Sequence, residues 1–302
     1  MILHNDKELF QQLILHTAQS KKTEESVIEK DYFVTLLLEK IVMKQPDVIF
    51  KGGTSLSKCY KLIERFSEDI DLNIQGNTKP TEGQRKHLKS NIISAIDELG
   101  FNLINYEDIR SRRDFNRYMI DYSAQFSAGY LKRKIIVETA IFMRSYPSKR
   151  MKATSYIYDF LLQNGYNDII KEYSLHPFEL NVQTADRTLI DKLYALGDYY
   201  LDNKIREHSR HIYDIYKLLD IVSLDDELKK LKDIVREERK KDQQCPSANN
   251  DIDFQLLLSD IIEKEVYRSD YEEITESLLF ESVSYDTAIK ALKQILKSNL
   301  FK

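Results

Sequence analysis

Two carboxylates in one predicted strand are the residues best suited to carry chemistry. Asp69 and Asp71 lie in Phe66–Leu72, a segment in which polar and apolar residues alternate. Because side chains alternate between the faces of a strand, the two acids share one face while Ile70 and Leu72 point to the core. Neighbouring carboxylates repel each other, and a divalent cation relieves that repulsion. The pair therefore indicates a site for Mg²⁺ or Mn²⁺, and Mg²⁺ commonly bridges protein carboxylates to substrate phosphates.

A glycine turn precedes this strand. The apolar run Val48–Phe50 predicts a buried strand that ends at Gly52 and Gly53. Adjacent glycines permit unusual backbone angles and bring bare N–H groups close to a ligand. Thr54 or Ser55 is predicted to cap a following helix, whose N-terminus favours phosphate. Two acids alone are more often a solvated strand end, but this strand–turn–helix–strand order favours a metal and phosphate site.

A third acid, Glu138, lies within the apolar run Lys134–Phe142. That run is predicted to form a hairpin with Arg117–Tyr122. A lone acid in an apolar strand is usually paired or bound to a metal, because an unpaired buried charge is costly. Two readings stay open for Glu138: a third carboxylate of the metal site, or a structural ion pair.

Composition indicates a helix-rich protein of two lobes, with a boundary predicted between residues 1–175 and 176–302. Gly and Pro are scarce, at 8 and 5 of 302 residues. Two cysteines are too few for a disulfide scaffold or a cysteine metal site, which fits a reducing cytoplasm. No apolar run approaches the length of a bilayer span, so no membrane association is expected.

Charge is distributed unevenly along the chain. The net charge of −4 argues against a protein that coats nucleic acid generally. Arg110–Lys152, however, holds eleven Lys and Arg residues against three acids, a local excess of +8. The segment is interpreted either as one phosphate-binding face or as an ordinary solvated surface.

The other predicted elements follow from hydrophobic periodicity and from capping residues. Helices are expected from Asn5 or Asp6, from Thr23 past Ile41 with Thr23 and Ser26 as caps, and over His87–Leu99. Further along the chain we expect a basic loop at Ser145–Lys152, helices at Thr154–Gln163 and Asp168–Lys171, a strand at Phe178–Val182, helices at Ala185–Leu196, Arg206–Leu218 and Leu224–Lys241, a polar linker at Gln243–Asn250, and terminal helices at Ile252–Ile262, Tyr267–Glu281 and Tyr285–Leu300.

The glycine turn and the acidic strand together resemble a known signature. Lys51–Leu56 (KGGTSL) and Arg65–Asp71 (RFSEDID) are similar to the nucleotidyltransferase signature. The particular residues of these two segments resemble the AbiEii/AbiGii family of bacterial toxins, whose relatives include the MenT-type toxins. Ala185–Leu196 and Arg206–Leu218 resemble later motifs of that family, in the same order. Glu29–Tyr32 (EKDY) resembles an element ahead of the glycine turn and is interpreted as packing or substrate-lining.

The resemblance implies an α+β fold, with a small mixed nucleotidyltransferase-like sheet, helices around it and a helical C-terminal lobe. It also implies which residues form the site. The residues expected to be catalytic are Asp69, Asp71, Lys192 and Asp214; those expected to bind metal are Asp69, Asp71 and Glu138; those expected to bind nucleotide are Gly52, Gly53, Thr54, Ser55, Lys58, Arg65, Ser67 and Arg210. Lys192 would bind phosphate, and Asp214 would orient or deprotonate an acceptor hydroxyl.

The implied function is metal-dependent transfer of a nucleotide from an NTP, by the toxin of a type IV toxin–antitoxin or abortive-infection system. The 3′ end of tRNA is the expected acceptor, with Arg110–Lys152 as a phosphate track, and an antitoxin encoded nearby is an expected partner. Two alternatives remain open: nucleotidylation of a protein hydroxyl, and an idle NTP-binding protein that acts through a partner. Labelling of RNA or of protein by labelled NTP separates transfer to tRNA from transfer to a protein, while Mg²⁺-dependent NTP binding without turnover supports the idle protein.

Overall fold

The strands around the acidic pair join a mixed sheet. The structure, a computed structural model, describes residues 2–76, 80–126, 134–141 and 144–302. Within these residues the sheet has seven strands, in the order β3-β4-β5-β2-β1-β7-β6. The strands are β1 (Val48–Lys51), β2 (Asp69–Ile74), β3 (Asn102–Leu103), β4 (Phe115–Asp121), β5 (Ile135–Ala140), β6 (Ser148–Ala153) and β7 (Phe178–Gln183).

Strand directions confirm the mixed sheet that the sequence predicted. β1 is antiparallel to β2 and parallel to β7, and β2 is parallel to β5. β4 is antiparallel to both β3 and β5, so the predicted hairpin of β4 and β5 is also confirmed. Part of the predicted hairpin, at residues 127–133 and 142–143, lies outside the described residues.

The chain divides into two compact units. The first contains Met1–Lys61 and Phe66–Val182, and the second contains Leu62–Arg65 and Gln183–Lys302. Helices of the first unit are α1 (Lys7–Lys21), α2 (Glu25–Lys44), α3 (Gly52–Lys58), α4 (Glu82–Glu98), α5 (Tyr156–Gln163) and α6 (Asn167–Glu172). No helix of the described residues is long and apolar enough to cross a membrane.

Several helix starts follow the predicted capping chemistry and others do not. Asp6 caps α1 by accepting a hydrogen bond from the Leu9 backbone N–H at 3.2 Å, as predicted. Thr81 starts α4 earlier than expected, because it forms a capping box with Gln84. The predicted caps of α2 are wrong: α2 begins after Glu24, without a side-chain cap.

The second unit is helical, as predicted. Its helices are α7 (Ala185–Leu201), α8 (Arg210–Leu218), α9 (Asp226–Arg239), α10 (Phe254–Glu263), α11 (Arg268–Asp270), α12 (Glu276–Leu278) and α13 (Tyr285–Lys297), with a π-helical turn at Tyr271–Thr275. The predicted polar linker is instead packed: Ser247 is buried and its hydroxyl donates to Asp198 Oδ1 at 2.6 Å. A buried polar group needs such a partner, which the composition of this segment does not reveal.

The predicted basic loop at Ser145–Lys152 is wrong for most of its length. Ser148–Ala153 forms β6, which lies at one edge of the sheet. Lys149, Arg150 and Lys152 are exposed on it. Charged residues are characteristic of edge strands, where they discourage pairing with another chain, and they also hide the strand pattern.

Candidate active site

The two aspartates of β2 share one face, as predicted. Asp69 and Asp71 are partly exposed, whereas Ile70 and Leu72 are fully buried. The Asp69 Oδ1 atom is buried, and it accepts no hydrogen bond from the described residues. Buried polar atoms nearly always have a partner, and a bound cation or water would supply one for this oxygen.

Gly52 makes room for the second aspartate. Its φ is +74°, a conformation that L side chains rarely adopt. A Cβ built at this position would overlap Asp71 Oδ2 and lie 2.9 Å from Asp71 Cγ. Glycine is therefore required here twice, for its backbone angle and for the close approach of the carboxylate.

The helix after β1 begins directly at the glycines, which corrects the predicted caps. α3 starts at Gly52, Lys51 is its N-cap residue, and no side chain caps it. The Thr54 hydroxyl is hydrogen-bonded to Ser67 Oγ at 2.9 Å, and Ser55 Oγ donates to the Gly52 carbonyl at 2.8 Å. Both Thr54 and Ser55 are buried, so their hydroxyls hold the turn together.

A row of charged residues crosses four strands at the level of Asp71. The register pairs Lys51 with Asp71, Asp71 with Glu138, and Glu138 with Arg117. Directly paired residues point to the same face of a sheet. Glu138 Oε1 accepts a hydrogen bond from Arg117 Nε at 2.7 Å, and the ion pair brings Arg117 Nη2 to 2.6 Å from the same oxygen. The structure thus shows Glu138 in an ion pair with Arg117, and the role of Glu138 as a metal ligand stays a prediction.

The donor set on β2 fits a magnesium ion. Mg²⁺ is usually held by one or two carboxylates together with substrate phosphates and water, rather than by a complete protein cage. Asp69 and Asp71 supply two carboxylates, and Asp69 Oδ1 has no hydrogen-bond partner among the residues that the structure describes. In the described part of the chain, no group of three or more His, Cys, Asp or Glu side chains is arranged to hold a metal. The remaining ligands would come from the substrate and solvent.

Lys58, predicted to bind nucleotide, is the last residue of α3 and is buried. Its ammonium donates to Asp31 Oδ1, to the Asp31 carbonyl at 3.2 Å and to Thr35 Oγ1 at 2.5 Å. Asp31 Oδ2 also accepts the Tyr156 backbone N–H at 2.7 Å. Burial lowers the pKa of Lys58, and Asp31 opposes this shift. These contacts favour a structural role for Lys58.

The neighbouring residues of the EKDY element also hold chain segments in place. Glu29 accepts the backbone N–H groups of Gln125 at 2.7 Å and Phe126 at 3.2 Å. Lys30 is ion-paired with Glu68, the residue before Asp69. The packing interpretation of this element is the one that its contacts support.

The second unit contains a buried ionic cluster around Asp214. Arg65 Nε donates to Asp214 Oδ1 and Arg65 Nη2 to Oδ2, both at 2.7 Å. Lys192 Nζ donates to Oδ2 at 2.6 Å. The Asp214 side chain is 0% exposed, and Arg65 and Lys192 are also buried. Both carboxylate oxygens are thus engaged by cations.

The cluster shifts the pKa values of its members. Burial alone would raise the pKa of Asp214, but the charges of Arg65 and Lys192 lower it below its ordinary value. Burial lowers the pKa of Lys192, and Asp214 partly opposes this. His211 Nδ1 lies 3.4 Å from Lys192 Nζ. Burial, and then the nearby positive charges, lower the pKa of His211 well below its ordinary value.

Sequence reasoning did not reveal which residues are ion-paired with Asp214. Arg210 is four residues away on the same helix, but the ion-pair partners of Asp214 are Arg65 and Lys192. It also missed a stack of aromatic rings: Tyr199 stacks on His208 at 3.5 Å between ring centroids and on His211 at 5.8 Å. One feature of the sequence pointed to the cluster: Arg65, Lys192 and Asp214 all lie within the motifs that resemble the family. Opposite charges in different motifs are candidates for an ion pair.

Comparisons with known proteins show the family and the fold. The sequence model of a family described as "Nucleotidyl transferase AbiEii toxin, Type IV TA system" matches residues 36–296. Among solved structures, the fold is similar to MenT4, a nucleotidyltransferase toxin from Mycobacterium tuberculosis H37Rv, with a TM-score of 0.55. That similarity covers 94% of this chain and 88% of the other at 15% identity, so it is a likeness of fold alone. No curated protein sequence matches the chain.

Proposed function

The chain belongs to the AbiEii nucleotidyltransferase toxin family of type IV toxin–antitoxin systems, and from that premise we propose that it transfers a nucleotide from an NTP to the 3′ end of tRNA. The reaction would take place in the cytoplasm and depend on Mg²⁺ or Mn²⁺. An antitoxin encoded nearby would counteract it.

One observation carries the proposal: the orphaned Oδ1 of Asp69 beside the carboxylate of Asp71. Gly52 keeps the space around Asp71 open, since any side chain there would overlap that carboxylate. The two aspartates would hold the cation. When bound, Mg²⁺ neutralises charge on the triphosphate and on the pyrophosphate that leaves. Backbone N–H groups of Gly52 and Gly53 are the proposed phosphate donors of the first unit.

In the second unit, Lys192 is the proposed phosphate-binding residue. For Asp214 we favour a positioning role, because its carboxylate is fully buried and both oxygens are bound to Arg65 and Lys192. The acceptor-orienting role that the resemblance implies would require one of these oxygens to be released. Arg210 remains a proposed nucleotide contact.

An RNA acceptor is supported by the exposed cations of the first unit. Arg110, Arg113, Arg144 and Lys149 are all exposed, as are other basic residues of the Arg110–Lys152 segment. Phosphates bind such cations with release of counterions, so acceptor affinity should fall as salt concentration rises. Single-stranded 3′ ends are accessible to an enzyme in a way that paired bases are not.

The test is incorporation of labelled NTP, with total tRNA and total protein as acceptors in separate reactions. Wild type should label the tRNA 3′ end, and Asp69→Asn should not. Asp121→Asn removes an exposed acid from the end of β4 and serves as the control, expected to retain activity. Equal labelling by Asp69→Asn and wild type would refute the assignment. Labelling of protein alone would move the acceptor to a protein hydroxyl.

A further inference from the structure

The charged row on the sheet has two cations at its ends and two carboxylates at its centre. Lys51 precedes Asp71 in the row, and Arg117 follows Glu138. Adjacent strands lie about 5 Å apart, so the two carboxylates are direct neighbours on one face. Like charges opposite each other destabilise a sheet. Arg117 offsets this repulsion by binding Glu138 through two nitrogens.

The Arg117–Glu138 pair is one that a stronger ligand can replace. Arg117 is 56% exposed and Glu138 is 20% exposed. Pairs open to solvent contribute little, because water and salt screen them. A divalent cation beside Asp71 would attract the Glu138 carboxylate with twice the charge of a guanidinium. The guanidinium N–H groups of Arg117 would then be available to donate to a phosphate, whose oxygens match their planar arrangement.

We propose that Arg117 is a displaceable counter-ion: it binds Glu138 before the cation is loaded and becomes a phosphate ligand when Glu138 turns to the cation. The proposal rests on the proposed metal site at Asp69 and Asp71. Before the cation binds, Arg117 neutralises the charge of Glu138. The exchange makes a guanidinium available to the triphosphate only after the cation has bound.

Titration calorimetry of Mn²⁺ binding to the full chain tests the first half of the exchange, the release of Glu138 from Arg117. Arg117→Gln removes the competing cation, so Mn²⁺ should bind about two- to fivefold more tightly, the range that a partly exposed ion pair is worth. In a Glu138→Gln background, Arg117→Gln should leave the Mn²⁺ affinity unchanged. Lys61→Gln breaks an ion pair of similar exposure, 42% and 25%, with Asp159, and should leave Mn²⁺ affinity unchanged.

Inorganic triphosphate in the presence of Mn²⁺ tests the second half. Arg117→Gln should weaken its binding about tenfold, as expected for loss of a charge-assisted hydrogen bond. Lys61→Gln should bind it as wild type does. Thermal denaturation of each variant, expected near the wild-type midpoint, verifies that the fold is retained.

Three results would overturn the exchange: unchanged Mn²⁺ affinity in Arg117→Gln, an equal gain in the Glu138→Gln background, or unchanged triphosphate affinity. An equal gain would mean that Arg117 acts only as a distant positive charge. The metal site itself is tested separately by Asp69→Asn. If that variant binds Mn²⁺ as wild type does, the proposed function fails; if it loses Mn²⁺ while Arg117→Gln shows no gain, only the exchange fails.

Discussion

Arg65 and Asp214 are joined by two parallel hydrogen bonds of 2.7 Å, although 149 residues separate them in the chain. This fork geometry is the strongest form of an arginine–carboxylate pair. It is reinforced around Arg65: the Glu64 backbone N–H donates to Tyr213 Oη at 3.0 Å, and the Phe280 N–H donates to the Glu64 carbonyl at 2.8 Å. Leu62–Arg65 is therefore fixed within the second unit, only four residues before Asp69 in the sequence.

Removing Arg65 should destabilise the protein strongly. Arg65→Ala leaves Asp214 buried with one of its cations missing, which typically costs about 3–5 kcal/mol. Arg206→Ala is the matched control, since Arg206 forms an exposed pair with Glu273 at 3.9 Å and should cost less than about 1 kcal/mol. Chemical denaturation measures both. Similar losses for the two variants would contradict a structural role for the buried pair.

Local patterns allowed much of the site to be predicted. Alternation in Phe66–Leu72 gave the shared face of Asp69 and Asp71, because a strand has only two faces. In the structure the strand starts and ends later than predicted, at Asp69 and Ile74, but the alternation over Asp69–Leu72 is the predicted one. The same local reasoning placed the first helix start at Asn5 or Asp6, and the structure shows Asp6 as the cap, which is set by a residue three positions away.

Partners distant in sequence could not be predicted in this way. Periodicity assigns Lys58 and Asp214 to a helix but says nothing of which charge lies opposite. Lys58 binds Asp31 and Asp214 binds Arg65, each across a long span of chain. Helical spacing places Arg210 and Lys217 close to Asp214, yet its ion-pair partners are Arg65 and Lys192. The strand Ser148–Ala153 was missed for a related reason, because its charges reflect an edge position that depends on the whole sheet.

Gly52→Ala should weaken cation binding while retaining the fold. The new Cβ would displace the Asp71 carboxylate, and mispositioned metal ligands commonly lose about 10–100-fold in affinity. Gly165→Ala is a close control: its φ is +76°, but a Cβ there meets nothing within 4 Å. Both variants carry the same backbone strain, of about 1–2 kcal/mol. Mn²⁺ titration of the two should differ sharply, and equal affinities would show that Gly52 acts only through its backbone angle.

Lys58 should prove structural. Lys58→Met leaves Asp31 buried without its cation and should cost about 3–5 kcal/mol. Adding Asp31→Asn removes the isolated charge, so the double variant should recover much of that stability. NTP affinity of the double variant, measured by calorimetry, should equal that of wild type. Weakened NTP binding in a variant of restored stability would instead support the nucleotide contact that the motif implies.

His211 should make stability depend on pH. Its pKa is lowered in the folded state, so on acidification the unfolded chain takes up the proton first. The stabilising contribution is therefore complete above the ordinary histidine pKa of about 6.5 and is lost as pH falls toward the folded value. His211→Gln should flatten the fall in thermal midpoint between pH 7 and pH 5. His16→Gln, on the exposed face of α1, is the control that should follow wild type.

Lys192 and Asp214 should differ in what they do for turnover. Lys192→Ala removes a phosphate-binding charge and should weaken NTP affinity together with kcat. Asp214→Asn should leave NTP affinity nearly unchanged at neutral pH, while kcat falls. Because Asp214 raises the pKa of Lys192 against the effect of burial, its neutral replacement should shift the alkaline limb of the kcat profile to lower pH. If Asp214 is instead an acceptor-orienting base, Asp214→Asn should in addition reduce kcat by about 10²–10⁴-fold at every pH. Thermal denaturation at each pH distinguishes these outcomes from unfolding of the variant. If both variants keep the wild-type kcat at every pH, the Arg65–Asp214–Lys192 cluster has a purely structural role.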